Sequence, residues 1–170
     1  MKEIGSEFWP RYEVVDVAAS SNEVHLLSGR TALHFIICDI LLCREAKRAL
    51  LPSYCCDSMI LPFIQADIEV NFYPVDRFGI EYPYENDADI VLLLDFFGYA
   101  CKQNSEIACH EHRRGKTIIY DSTHKLDGNA DVECYVDYSF CSYRKWFYCN
   151  DAIAVKHQGT FVNGGALAHH

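Results

Sequence analysis

The 170-residue sequence lacks the long apolar segment that a membrane-spanning helix needs, because no run of about 18 apolar residues occurs. It is also poor in positive charge. The formal net charge is −9 at pH 7, whereas a protein that binds the nucleic-acid backbone needs a basic face. The first residues, MKEIGSEFWPRYE, lack the apolar core of a secretory leader. We therefore expect a cytoplasmic protein that binds neither membranes nor nucleic acids.

Cysteine, by contrast, is abundant. The chain has nine cysteines, and without a secretory leader we expect them to be reduced thiols. Most lie beside apolar residues, where a thiol packs as a small hydrophobic group. The segment CHEH combines Cys109, His110 and His112, but this spacing matches no common zinc pattern. We predict no metal site.

Short apolar segments alternate with longer amphipathic ones along the chain. Helical spacing of apolar residues predicts helices over 29–49, 57–67 and 104–115, and apolar or alternating runs predict strands over 23–28, 49–54, 68–75, 88–98, 116–121, 135–143 and 151–156. This order predicts a three-layer α/β/α fold around a mostly parallel sheet of about seven strands. The last strand follows too closely for a crossover helix, so it should be antiparallel. We expect one domain over 1–156 and a glycine-rich tail over 157–170.

The segment LLSGRTAL (26–33) ends a strand, turns at Gly29 and begins a helix. Free backbone N–H groups and the positive end of the helix dipole can hold an anion there. Arg30 and the hydroxyl of Thr31 would add donors. The alternative is an ordinary helix N-cap. The glycine–lysine–serine ending of a nucleotide-binding P-loop is absent.

The segment IIYDSTHKL (118–126) places Asp121 at the carboxyl end of a buried strand. Open α/β sheets bind their ligands at that edge. Asp121 is therefore a candidate ligand-binding carboxylate, although it could also cap the following turn. His124, three residues later, either faces the same ligand or is a partly buried polar residue without such a role.

The segment YSFCSYRKWFYCND (138–151) contains one lysine, Lys145, in an apolar and aromatic run. A lysine at the end of a buried strand has its pKa lowered by desolvation, which makes it a nucleophile. The alternative is a lysine whose amine reaches solvent from the strand end. Ser142 gives a Ser-x-x-Lys spacing that also occurs in serine acylases. A hydrolase using Ser142 and Lys145 is thus a further hypothesis, but it leaves the other two segments without a role.

An anion site, a buried carboxylate and a lysine, in this order on parallel strands, fit the cofactor pyridoxal 5′-phosphate (PLP). PLP needs a site for its phosphate, a carboxylate against its ring nitrogen and an amine that bonds to its aldehyde.

These segments resemble fold type I PLP-dependent aminotransferases, and among them the DegT/DnrJ/StrS family of sugar aminotransferases. The resemblance spans nearly all of residues 1 to 156. It is carried by EIGSEFW (3–9), LLSGRTAL, LPSYCCDSMILPFIQADIEVNFYPVD (51–76), LLLDFFGYA (92–100), IIYDSTHKL and DYSFCSYRKWFYCNDAIAV (137–155).

The resemblance implies a role for each candidate residue. Lys145 would bond covalently to PLP and then move the proton between substrate and cofactor. Asp121 would bind the pyridine nitrogen. His124 falls where the family has Gln or His and would reach the phenolic oxygen. The phosphate would be held by residues at the start of the first helix and before the lysine, namely Gly29, Arg30, Thr31 and Ser142.

Two positions depart from the family pattern. The sugar branch commonly has its phosphate-binding serine five residues before the lysine, where this chain has Phe140. Its ring-stacking aromatic residue falls on Cys56, whose thiol cannot stack in the same way, so Cys56 is a candidate for the cofactor face. Tyr54 could supply that face instead.

The implied reaction transfers an amino group, from glutamate, to a nucleotide-linked keto sugar, in a homodimer. Members of the family carry a further C-terminal domain that closes over the substrate, and this sequence does not contain it. The alternative is therefore a truncated, inactive relic, or a module that binds PLP and needs a partner chain.

Overall fold

The computed structural model describes residues 22–77, 79–99, 101–148 and 151–162. The N-terminal motif 3–9, Cys149 and the last eight residues of the predicted tail lie outside these ranges. The elements in chain order are β1 (Glu23–Leu26), α1 (Gly29–Cys43), β2 (Arg48–Pro52), α2 (Asp57–Gln65), β3 (Glu69–Tyr73), β4 (Val75–Asp76), β5 (Gly79–Ile80), β6 (Ile90–Leu94), α3 (Lys102–Arg113), β7 (Thr117–Asp121), α4 (Ala130–Glu133), β8 (Tyr138–Ser142) and β9 (Ala152–Lys156).

Seven strands form one sheet in the order β1-β9-β8-β7-β6-β2-β3. Strands β8, β7, β6, β2 and β3 are parallel to their neighbours in that run, whereas β9 is antiparallel to both β8 and β1. The predicted number of strands, the mostly parallel sheet and the antiparallel last strand are all confirmed. The two-residue strands β4 and β5 form a separate hairpin that the sequence did not indicate.

Both faces of the sheet are covered, which explains the continuous apolar run IVLLL in β6. Ile90, Leu92 and Leu94 pack in a core with residues of α1 and α2. Val91 and Leu93 pack in a second core with residues of α3 and α4. Because alternate side chains of a strand point to opposite faces, this division confirms the three layers.

Helix α1 ends at Cys43, so the predicted helix end at residue 49 is wrong. Arg44 is already extended, with φ −159° and ψ 159°. Its guanidinium donates to the carbonyl oxygen of Gly115 and to the hydroxyl of Thr117, both over 3.1 Å. The backbone N–H groups of Lys47 and Arg48 donate to the carboxylate of Asp89. These long-range contacts outweigh the good helix propensity of REAKRA.

The predicted strand 88–98 is also too long. The strand ends at Leu94, and residues Phe96–Gly98 form a 3-10 turn. Phe97 has φ 56° and Gly98 has φ 85°, which is left-handed backbone that a strand cannot contain. A Cβ at Gly98 would lie 2.7 Å from the carbonyl oxygen of His124. This turn therefore brings Phe97 beside the loop that follows β7.

The described part of the predicted tail, 157–162, packs against the domain. The ring of Phe161 is buried, and its centroid is 4.9 Å from that of Phe35. The buried carboxylate of Asp39 in α1 accepts hydrogen bonds from the hydroxyl of Tyr138 over 2.9 Å and from the backbone N–H of Val162. It also pairs with Lys156 over 2.7 Å. Within the described ranges, no helix has the length and apolarity to cross a membrane.

Candidate active site

The parallel strands β2, β6, β7 and β8 end at one edge of the sheet, where they surround a cavity of about 920 Å³. This lies in the range of small-molecule sites. Leu94 of β6 lies in register with Asp121 of β7, which in turn lies in register with Phe140 of β8. The N-terminus of α1 forms another wall. All eight predicted site residues line this cavity: Gly29, Arg30, Thr31, Cys56, Asp121, His124, Ser142 and Lys145.

Helix α1 begins with a capping box between Ser28 and Thr31. The backbone N–H of Thr31 donates to the hydroxyl of Ser28 over 3.2 Å, and the hydroxyl of Thr31 donates to the carbonyl oxygen of Ser28 over 2.7 Å. The backbone N–H groups of Gly29 and Arg30 precede the first intrahelical donor, Ala32. The N-cap and the anion site are therefore compatible, but the hydroxyl of Thr31 would have to leave the capping box to bind an anion.

Gly29 lies against Ser142 across the cavity wall. A Cβ at Gly29 would be 3.2 Å from Cβ of Ser142 and 3.7 Å from its Oγ, so a side chain at Gly29 would require Ser142 to shift by a few tenths of an ångström. Ser142 is 5% exposed, and its hydroxyl has no hydrogen-bond partner among the described residues. A buried hydroxyl without a partner is unusual. Beside the start of a 15-residue helix, it is a donor available to an anion.

Asp121 is 6% exposed at the end of β7. One carboxylate oxygen accepts a hydrogen bond from the backbone N–H of Thr123 over 2.8 Å. Burial raises the pKa of Asp121 to about 6, although the bonds to Thr123 and the charge of Lys145 act in the opposite direction. A buried carboxyl group whose pKa lies near neutral pH favours a cationic partner, because the partner stabilises its charged form.

His124 stacks on Phe97, with ring centroids 5.8 Å apart and planes 19° apart. Its Nδ1 accepts a hydrogen bond from the backbone N–H of Phe97 over 3.4 Å, so the ring proton lies on Nε2. Burial, and then the charge of Lys145, lower the pKa of His124. At neutral pH His124 is thus a neutral imidazole whose Nε2–H can donate.

The comparison with known proteins rests on solved structures alone, because no family model and no curated protein matches the sequence. The histidinol-phosphate aminotransferase of Clostridium acetobutylicum is 14% identical, with a TM-score of 0.61 over 80% of this chain and 45% of its own. The N-succinyldiaminopimelate aminotransferase of Mycobacterium tuberculosis is 14% identical, with a TM-score of 0.62 over 79% and 41%. NtdA of Bacillus subtilis, solved with the cofactor PMP bound, is 16% identical, with a TM-score of 0.62 over 81% and 33%.

The chain therefore shares its α/β/α fold with part of each of these aminotransferases. The chain spans less than half the length of these solved structures. At such low identity the similarity establishes the fold, and the roles of individual residues stay predictions.

Of the two interpretations of Lys145, the structure agrees with the one in which its amine reaches solvent. Strand β8 ends at Ser142, and Lys145 lies on the following 3-10 turn, Tyr143–Lys145, with an exposed side chain. The aromatic residues after it are exposed too: Trp146 by 49%, Phe147 by 53% and Tyr148 by 68%. Only the first part of this apolar and aromatic run, residues 138–142, is buried.

Two candidates for the cofactor face both line the cavity. Cys56 is the N-cap residue of α2, and its thiol lies 2.9 Å from the hydroxyl of Ser58. Tyr54 is exposed, and its ring meets those of Phe96 and Phe97 edge-on, with centroids 5.8 and 6.1 Å apart. Tyr54 therefore supplies the aromatic surface that Cys56 lacks.

Sequence reasoning missed Arg144 and Thr123, which also line the cavity. Thr123 accepts a hydrogen bond from the backbone N–H of Ser142 through its Oγ1, over 3.1 Å. The sequence offered one signal for Thr123, its position between Asp121 and His124. Arg144 gave none, because an arginine beside a lysine usually lies on a solvated surface. No group of three or more His, Cys, Asp or Glu side chains suited to a metal occurs in the part of the chain that the structure describes.

Proposed function

We propose that this cavity binds PLP and that the chain is the cofactor-binding part of an aminotransferase. One observation carries the proposal. A single cavity combines an unpartnered buried hydroxyl at a helix N-terminus (Ser142 beside Gly29), a buried carboxylate (Asp121) and an accessible amine (Lys145). Phosphate, pyridine nitrogen and aldehyde are the three groups of PLP that need such partners.

The residues present fit the phosphate. The backbone N–H groups of Gly29 and Arg30 lie at the positive end of α1, where an anion is favoured. The hydroxyl of Ser142 adds a donor that has no partner among the described residues. The absence of a side chain at Gly29 keeps this approach open.

Asp121 would face the pyridine nitrogen. The raised pKa of its buried carboxyl means that a cationic N–H donor beside it would restore the charged form, because an opposite charge offsets desolvation. The bonds from Thr123 hold the carboxyl group in place at the cavity wall. When bound, PLP would supply the electron sink that makes amino-acid chemistry at the α-carbon possible.

Lys145 and His124 would act around the reacting atoms. The exposed amine of Lys145 would bond to the aldehyde of PLP. Once the amino group of the substrate has displaced it, the free amine could hold or move a proton at the substrate α-carbon. A positioned general base contributes on the order of 10²–10⁴-fold to a rate. The Nε2–H of His124 would donate to the phenolic oxygen of PLP, as a neutral donor.

For the substrates, we propose glutamate as the amino donor and a nucleotide-linked keto sugar as the acceptor. The ordered set of sequence motifs shared with the DegT/DnrJ/StrS sugar aminotransferases supports this choice. We also propose a homodimer. Its support is a set of exposed aromatic side chains, Tyr99, Trp146, Phe147 and Tyr148, on the segments that follow the cavity-lining residues Phe97 and Lys145, since exposed apolar groups are typical of interaction sites when they form a patch.

The test is a titration of the purified protein with PLP, followed by visible absorption. We expect a new band in the wild type, the same band in Lys125→Ala, and no band in Lys145→Ala. Lys125 is the matched control because it pairs with Asp127 over 2.7 Å and does not line this cavity. Addition of glutamate should then change the band. A wild-type protein that develops no band contradicts the proposal.

The same titration separates the alternatives. A band that does not respond to glutamate indicates a PLP-binding module, and the absence of a band indicates a relic. A Ser–Lys hydrolase would need Ser142 hydrogen-bonded to its base, and no such bond exists among the described residues. Labelling of Ser142 by a serine-directed acylating probe would be the result in its favour.

A further inference from the structure

Arg144 is a cation with no acceptor among the residues that the structure describes. Its Nε is buried and has no hydrogen-bond partner among the described residues. No hydrogen bond or ion pair joins its guanidinium to any other group in that part of the chain. Some other arginines do have acceptors: Arg44 donates to Gly115 and Thr117, and Arg48 pairs with Asp87 over 3.0 Å. A buried N–H of a guanidinium that finds no oxygen is costly, so its partner is expected to be a ligand.

The position of Arg144 indicates the kind of ligand. It lies on the 3-10 turn two residues after Ser142 and lines the same cavity. Ser142 and Arg144 thus give two unpartnered buried donors in one cavity, and the N-terminus of α1 lies against the first of them. Lys145 is the cation whose charge acts on Asp121 and His124. Because Arg144 follows Ser142 by only two residues, its guanidinium can join Arg30 and the other donors at the end of the cavity near Ser142 and Gly29.

A tetrahedral oxyanion matches this set of donors. A planar guanidinium binds phosphate with two parallel N–H···O bonds, and such charge-assisted bonds are about twice as strong as neutral ones. Backbone N–H groups and a serine hydroxyl can satisfy the remaining oxygens.

We propose that Arg144 binds the phosphate of the cofactor, together with Ser142 and the N-terminus of α1, and that it makes this site select the phosphorylated form over the unphosphorylated one. This inference rests on the proposed function. It assigns a role to a residue that neither the motifs nor the spacing indicated.

The test compares the affinities of PLP and pyridoxal, which differ only in the phosphate. They are measured by equilibrium fluorescence titration of the wild type, Arg144→Gln, Arg144→Lys and Arg113→Gln. Arg113→Gln is the matched control, because it removes the same charge at an exposed position at the end of α3. We expect Arg144→Gln to weaken PLP binding by roughly 10- to 30-fold, the loss of a charge-assisted bond, while pyridoxal binding stays unchanged. The affinity of Arg144→Lys for PLP should lie between those of the wild type and Arg144→Gln. The affinity of Arg113→Gln should match that of the wild type.

Two results would overturn the inference. Equal weakening of PLP and pyridoxal in Arg144→Gln would indicate a structural role, and no weakening of either would indicate no contact. Circular dichroism and thermal melting identify a variant that fails to fold, in which case Arg144→Lys decides.

A calorimetric titration with inorganic phosphate separates this inference from the proposed function. If the wild type binds phosphate and Arg144→Gln does not, the assignment of Arg144 stands even where PLP gives no visible band. If neither the wild type nor the variant binds phosphate or PLP, both proposals fail.

Discussion

The indole Nε1 of Trp146 donates a hydrogen bond to the carbonyl oxygen of Thr123 over 2.6 Å. The same threonine donates its backbone N–H to Asp121 and accepts the backbone N–H of Ser142 through Oγ1. Thr123 thus joins the loop after β7 to the turn after β8. Since Trp146 follows Lys145 directly, this set of bonds holds the turn that bears the lysine against the loop that bears the carboxylate.

Replacing Trp146 by Phe should loosen this turn. The substitution removes the bond to Thr123 and keeps most of the ring. We expect the free energy of unfolding to fall by about 1 kcal/mol and the visible band to appear more slowly after addition of PLP, since Lys145 spends less time in place. Urea unfolding and stopped-flow absorption measure the two effects.

Phe147→Leu is the control, because Phe147 is equally exposed and contacts Tyr143 rather than the loop after β7. If both variants slow the reaction with PLP equally, the bond from Trp146 has no special role.

The buried carboxyl of Asp121 should leave a signature in the pH dependence of stability. Its pKa in the folded protein is about 6, above the ordinary value of 3.8, so folding takes up a proton between these two values. This group's contribution to stability is therefore fully present below about pH 4, falls as the pH rises to 6, and is constant above. The total loss is roughly 3 kcal/mol, from the two-unit difference in pKa.

Asp121→Asn removes this titration. In the absence of PLP we expect the stability of the variant, relative to the wild type, to rise between pH 4 and pH 7. Urea unfolding at several pH values measures the difference. A difference that does not change with pH would show that Asp121 is not a buried carboxyl of raised pKa.

The carboxylate of Asp95, next to the cavity wall formed by Phe96, should be essential for stability. It is fully buried and accepts hydrogen bonds from the side-chain amides of Asn104 and Asn129, both over 2.7 Å, and from the hydroxyl of Tyr120 over 3.1 Å. Asp95→Asn replaces one acceptor oxygen by an N–H donor, which then faces other donors. We expect it to lower the free energy of unfolding by about 2–4 kcal/mol.

Chemical denaturation checks this value against Asp127→Asn, which removes the same charge from an exposed side chain and should change stability little. Equal effects of the two substitutions would mean that the buried donors find other acceptors.

Alternation of apolar segments was enough to predict the seven strands, their covered faces and the edge that holds the site. Connection length alone predicted that the last strand runs antiparallel. The ends of helices and strands were less predictable. Helix α1 ends before Arg44, whose side chain donates hydrogen bonds to Gly115 and Thr117. These partners lie about 70 positions further along the chain. No local propensity contains that information.

The sequence predicted residues that line one cavity, while their roles in binding a cofactor stay predictions. Gly29, Asp121 and Lys145 follow from strand ends and motif order. The exposure of Lys145 and of the aromatic residues after it did not follow, since hydrophobicity does not distinguish a core from an exposed surface. Arg144 could not be found from spacing, because only the packed structure shows that its Nε has no partner.

The most direct measurement of the central claim is to incubate the protein with PLP, reduce it with borohydride, digest it and locate the cofactor by mass spectrometry. Among the lysines that the structure describes, Lys145 is the one that lines the cavity with Asp121 and Ser142. We predict a stable adduct on Lys145 that forms with one equivalent of PLP. Its yield should be much lower in Asp121→Ala. An adduct spread over exposed lysines such as Lys47 or Lys102, or one that is unaffected by loss of Asp121, would contradict the claim that these residues form one PLP site.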